Sequence, residues 1–138
     1  MSTADQLREL LNDLYAAFST GDARPWTEHA AEDVLGIGSD EDEWWQGRSV
    51  FTQVVAAQMQ EISSSGGRLT AGDPQVFAQG DVAWVVDRPF LHLGDGTDLP
   101  MRATLIADTA AGTLRIRHSH FSVGVNNEQV FGQELTTG

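Results

Sequence analysis

The spacing of apolar positions changes once along this chain, near residue 68, and the change divides it into a helical half and a stranded half. Leu7, Leu10, Leu11, Leu14 and Phe18 recur three or four residues apart and form one stripe along a first helix. Thr3 followed by Gln6, with Asp5 in the first turn, reads as its capped start, and Gly21 as its end. Asp22 and Pro25 suit the opening of a short second helix, with Trp26, His29 and Ala30 on one face. Val34 to Gly38 is a short apolar run, the predicted first strand. A third helix follows from a cap at Ser49. Its inward face is Phe51, Val54, Val55, Gln58, Met59 and Ile62, with Gln58 the polar exception, and the run SSSGG at 63–67 stops it.

Beyond that point the period becomes two. Strands are predicted near 68–78, 81–93, 99–109 and 113–125, joined by the turn formers QGD, LGDGTD and TAAG. Helices first and hairpin-linked strands afterwards imply an α+β fold, with three N-terminal helices on one face of an antiparallel sheet. Pro89 has no amide hydrogen, so the ladder is expected to be interrupted there, which would bend the sheet. The segment 126–138 is polar and is expected to be a flexible tail of a single domain spanning 1–138.

The last strand, TLRIRHSHFSVGV, carries the most chemistry. Strict alternation puts Leu114, Ile116, His118, His120 and Ser122 on one face and Arg115, Arg117, Ser119, Phe121 and Val123 on the other. The first face starts aliphatic and ends polar, as expected of a strand that leaves a core and enters a pocket.

Charge and composition narrow the partners. Eight basic residues against 20 acidic ones give a net charge of −12, which argues against nucleic acid or an anionic membrane as partner. No cysteine is present, so thiolate chemistry and disulfides are excluded. The start MSTADQLREL lacks the pattern of a signal peptide, and no apolar run approaches the ~20 residues that span a bilayer. The expectation is a cytoplasmic protein.

Several stretches carry a family resemblance: Gly21-Asp22 ahead of Trp26, the run Ala31-Glu32-Asp33-Val34, Gly80-Asp81-Val82-Ala83-Trp84, Arg102-Ala103-Thr104, and His118-Ser119-His120-Phe121-Ser122. With the element order, the chain resembles the SnoaL-like group of the nuclear transport factor 2-like superfamily, and the related calmodulin-dependent kinase association domains. Leu114 departs from the pattern, since a Trp usually stands there in these relatives. The resemblance implies a cone-shaped, cystatin-like fold whose helices and curved sheet enclose a cavity. It also implies a homodimer formed through the outer sheet face. Relatives include ketosteroid isomerase-like and polyketide cyclase-like enzymes, dehydratases, and proteins without a reaction.

Two functions follow as expectations. One is a module that binds a small molecule in the cone, with Trp45, Trp84, Arg102, Thr104, His118, His120 and Ser122 as ligand contacts. The other is an isomerase, cyclase or dehydratase acting on an apolar carbonyl compound, with His120 as proton carrier and Arg102 or Ser122 steadying oxyanion charge. Either histidine could instead be structural, and Arg102 could pair with Asp87 or Asp98 rather than with a ligand. Of Trp44 and Trp45, one is expected to be buried, beneath a solvated loop made by the acids 40–43. The His-x-His pair alone lacks the converging ligands of a metal site, so neither metal nor cofactor is expected. The lack of a tyrosine in the last strands weakens a close copy of the steroid isomerase site, because the only one is Tyr15.

Overall fold

A computed structural model describes residues 1–138. Helix α1 (Thr3–Thr20) starts at Ser2, one residue before the predicted cap. The Ser2 hydroxyl accepts from the Asp5 amide, and the Asp5 carboxylate accepts from the Ser2 amide, at 3.1 and 3.3 Å. Gly21, at φ 76°, ends the helix in the left-handed conformation as expected. Helix α2 (Arg24–His29) carries Pro25 in its first turn, and α3 (Arg48–Ser64) begins one residue before the predicted Ser49 cap. The strands are β1 (Ala30–Ile37), β2 (Trp44–Gln46), β3 (Arg68–Thr70), β4 (Gln75–Gln79), β5 (Val82–Asp87), β6 (Phe90–His92), β7 (Asp98–Asp108) and β8 (Arg115–Val123). A short α4 (Asn127–Phe131) lies in the segment expected to be a tail, capped by the Asn126 side chain.

The strands form one curved sheet in the order β2-β1-β8-β7-β5-β4, and β6 and β3 continue from the far end of β7. All ladders are antiparallel except one: β1 runs parallel to β8, so the sheet is mixed rather than purely antiparallel. Two of the predicted strands are each split in two. The segment 68–78 breaks between Thr70 and Gln75, and 81–93 breaks at Arg88-Pro89, as the missing amide of Pro89 requires. There the sheet bends, and long β7 serves both parts, pairing with β5 through 103–108 and with β6 through 98–100.

The inner sheet face is made of small side chains near the helices. Ala83, Val85, Ala103, Leu105 and Ala107 are buried in a core shared with Leu7, Leu11 and Leu14 of α1 and Phe51 and Val55 of α3, with α1 lying on β5 and α3 on β1. Each fully buried Leu or Val contributes about 1.5–3 kcal/mol, so this layer dominates stability. Below it, Asp87 is buried and accepts from the Tyr15 hydroxyl (2.9 Å) and from the amides of Gly72, Asp73 and Arg88. That carboxylate ties α1 to the bend at Pro89.

Candidate functional site

A hollow of about 270 Å³ opens between the helices and the inner sheet face. Phe18, Trp26, Val55, Met59 and Ile62 form its helical wall, and Leu91, Met101, Ser119 and Phe121 its sheet wall. Ser39, Glu43, Trp45, Gln58 and Glu61 supply the more polar part of the lining. The volume falls just below the usual range of small-molecule sites, roughly 300–1,000 Å³, so the occupant would be small.

The lining from β8 is not the face that strict alternation predicts. Ile106 pairs with His118 but Ala107 pairs with Ile116, so Arg117 is an extra residue on β8 with no partner of its own. This β-bulge shifts the pleat by one residue. Ile116 points inward before it; Ser119 and Phe121 point inward after it. His118, His120 and Ser122 therefore turn to the outer face, and the expectation that they continue the Leu114–Ile116 face is corrected. The bulge is held by charge. The Arg117 guanidinium donates to Asp108 at 2.8 Å and to Asp33 at 2.7 Å, reaching β7 and β1 from β8. The hydrogen bond from Arg117 holds the Asp108 carboxyl below the usual aspartate range.

The structure does bring most of the expected site residues together, but on that outer face. Arg102 pairs with Ser122, donating from Nε to its hydroxyl at 3.2 Å, and Thr104 pairs with His120. Arg102 is exposed and takes neither Asp87 nor Asp98 as partner. The His118 Nδ1–H donates to the Leu35 carbonyl at 2.7 Å, and the two imidazole rings sit edge to face at 6.1 Å. Trp84 shares this face and stacks on Phe77 at 5.7 Å. Of the expected ligand contacts, Trp45 alone lines the hollow. Its ring packs at 6.4 Å from Phe51, while Trp44 is 62% exposed, so one of the two tryptophans is sheltered as expected. Gly36 makes room for that packing, because a Cβ there would stand 2.7 Å from Phe51 and 2.9 Å from Trp45.

Two polar lining residues were missed by the sequence reading. Glu43, from the acid run assigned to solvent, folds back so that its carboxylate accepts from Gln58 Nε2 at 2.5 Å and from the Asp40 amide at 2.8 Å. The signal was Gln58 itself, a polar residue on the inward face of α3 that needed a partner. Ser119 is 3% exposed and its hydroxyl bonds to no protein group. No fully buried side-chain polar atom in the chain lacks a partner, so that hydroxyl must open onto the hollow. No group of three or more His, Asp or Glu side chains is placed to hold a metal ion.

A model of the SnoaL-like domain matches residues 7–126. The chain belongs to the SnoaL-like domain family. No curated protein matches it. Among solved structures, the SnoaL-like chain is similar to a nuclear transport factor 2-like protein of unknown function from Pseudomonas putida, at 22% identity and a TM-score of 0.81, covering 100% of this chain and 98% of that one. It is also similar to a candidate ketosteroid isomerase from Parabacteroides distasonis, at 12% identity and a TM-score of 0.71, covering 88% and 87%. A third likeness is to a candidate calcium/calmodulin-dependent protein kinase II association domain from Xanthomonas campestris, at 17% identity and a TM-score of 0.66, covering 86% and 85%. At these identities the likeness shows the fold alone, a cystatin-like α+β fold of the kind seen in nuclear transport factor 2-like proteins. No helix of this SnoaL-like domain is long and apolar enough to cross a membrane.

Proposed function

We propose that this SnoaL-like domain binds a small, largely apolar molecule in its hollow, oriented by one hydrogen bond to Ser119. The observation that carries this reading is the Ser119 hydroxyl, deep among Phe18, Met101 and Phe121 and without a protein partner. A largely apolar cavity whose one buried hydroxyl is unspent favours a ligand bearing one carbonyl or hydroxyl group. Trp45 borders the ligand from one side, and Glu43 with Gln58 supplies a polar edge. Trp84, Thr104, His118, His120 and Ser122 leave the ligand site and join a subunit interface instead, while Arg102 lines a separate open groove beside Phe90. The outer face bearing Phe77, Val82, Trp84 and Val86 is apolar and partly exposed, and a second copy of the chain in a cytoplasmic homodimer would cover it.

The isomerase-type reading rests on the candidate ketosteroid isomerase among the structural neighbours. It loses His120 as a carrier facing the hollow, which leaves Glu43 and the solvent-exposed Glu61 as the carboxylates of the lining. Binding is the stronger reading because Glu43 is already engaged by two donors.

The test is thermal stabilisation by a panel of single-ring ketones and alcohols, compared between the native chain and Ser119→Leu, which fills the hollow. The proposal expects stabilisation of the native chain by at least one member and none of the variant. Equal stabilisation of both would refute it.

A further inference from the structure

A second constellation lies outside the hollow, on the outer face of the small sheet formed by β3, β6 and the start of β7. Arg68, Thr70, Phe90, His92, Asp98 and Pro100 share that face, because Arg68 pairs with His92, Thr70 with Phe90, His92 with Asp98 and Phe90 with Pro100. Their neighbours in sequence, Leu69, Leu91 and Leu99, pack toward the core. On this face three polar groups form a chain. The Asp98 carboxylate and His92 Nδ1 are 2.5 Å apart, and His92 Nε2 and the Thr70 hydroxyl are 2.7 Å apart.

The direction of each proton follows from chemistry. A carboxylate only accepts, so Nδ1 carries the hydrogen and donates to Asp98. In neutral imidazole the other nitrogen then accepts, and the Thr70 hydroxyl donates to it. This is the order of a nucleophile, a general base and an orienting acid. The His92 side chain is 19% exposed, sheltered by Phe90 stacked at 6.4 Å, while Asp98 is open to solvent. A groove beside Phe90 is lined by Leu99, Pro100 and Val123, and its charged groups are Arg88 and Arg102 against the one carboxylate of Asp73. Neither arginine has a carboxylate partner, in a chain with 20 acidic residues.

From this arrangement we propose that Thr70, His92 and Asp98 form an acyl-accepting site on the outer face, which takes the acyl group of a small ester bearing an anionic tail. The Thr70 oxygen attacks the ester carbonyl carbon as its proton passes to His92 Nε2. The bond from that carbon to the leaving oxygen breaks, and the leaving oxygen keeps the electron pair and takes the proton from Nε2. Water then attacks the threonyl ester, giving its proton to Nε2. As the bond to Thr70 breaks, the threonine oxygen recovers that proton, so that one ester and one water become one acid and one alcohol. Arg68, on the same face and opposite His92, supplies positive charge where the carbonyl oxygen becomes anionic. Arg88 and Arg102 receive the tail. Asp98 is a positioning residue that holds the His92 tautomer. The site stands independently of the hollow and of the reading given for it.

The experiment uses 4-nitrophenyl acetate and its anionic analogue 4-nitrophenyl succinate with the full chain. Nitrophenolate release is followed, and the acid-quenched protein is digested and weighed for acyl groups. The expected result is an acyl group on Thr70, faster reaction with the succinate, and a loss of at least about a hundredfold in Thr70→Val. His92→Ala should lose activity and regain it with added imidazole, which Thr70→Val should not. Asp98→Ala should be slow and Asp98→Glu should recover part of the rate at unchanged Tm. No acyl group on Thr70, or equal rates in the native chain and Thr70→Val, would overturn the proposal and leave the three residues as a brace between strands.

Discussion

The two faces of the central strands differ in a way that hydropathy hides. Along β5 and β7 the inner face is Ala83, Val85, Ala103, Leu105 and Ala107, small or medium side chains buried under helices. The outer face is Val82, Trp84, Val86, Thr104 and Ile106, bulkier on average and only partly covered within one chain. Both are apolar, so alternation of hydrophobic and polar residues does not tell them apart. Side-chain size does. Small residues let a helix axis approach the sheet, whereas a tryptophan and a phenylalanine stacked on an open sheet suit a flat partner of similar shape.

The sharpest way to break the inner side is at Asp87. Its replacement by Ala leaves the Tyr15 hydroxyl and three amides without their acceptor, and we expect a loss of about 3–5 kcal/mol in urea unfolding. A loss below about 1 kcal/mol would mean that water replaces the carboxylate and that the tie is not structural. Overpacking comes next. Ala107→Leu on the inner face should cost about 1–3 kcal/mol, while Ile106→Leu, one residue away on the outer face, should cost less than about 1.5 kcal/mol. Similar costs at the two positions would erase the distinction. On the outer side, the native chain should sediment as a dimer and Trp84→Glu as a folded monomer, and equal masses for the two would remove this face as the interface.

The smallest effect concerns pH. Burial, helped by the Asp87 charge, pushes the Tyr15 hydroxyl well above its ordinary value. Its contribution to stability is therefore complete below a pH of about 10, where an unfolded tyrosine still holds its proton, and is lost as pH rises beyond that. Tyr15 is the only tyrosine, so the absorbance of tyrosinate reports it alone. The folded protein should show none near pH 10.5, and ionisation should coincide with alkaline unfolding. A titration midpoint near 10 in the folded state would contradict the buried pairing.

Much of this architecture was legible in the residues, because long periodic segments and turn formers act locally. The stripe of α1, the stop at Gly21 and the ladder break at Pro89 each follow from one side chain or one spacing. The parallel ladder of β1 on β8 did not follow, since it joins residues some 80 positions apart with no local signal. The candidate site was misread at the bulge. Yet a clue stood in the spacing: Ile116 and Phe121 are an odd number of residues apart, so a strand that turns both inward must slip by one between them. Glu43 was misread for a related reason. Charge runs are solvated on average, but an inward-facing Gln58 creates a demand that one of the four acids can meet.

Which side of β8 faces the hollow decides the lining of the site, and nuclear Overhauser contacts from the imidazole ring protons read this directly. His118 should show contacts to Ile106 and His120 to Thr104, their cross-strand partners on the outer face, with none from either ring to Phe18, Trp26 or Met101. Contacts from both rings to Trp26 and Met101 would place the histidines in the hollow, and the bulge at Arg117 would be wrong.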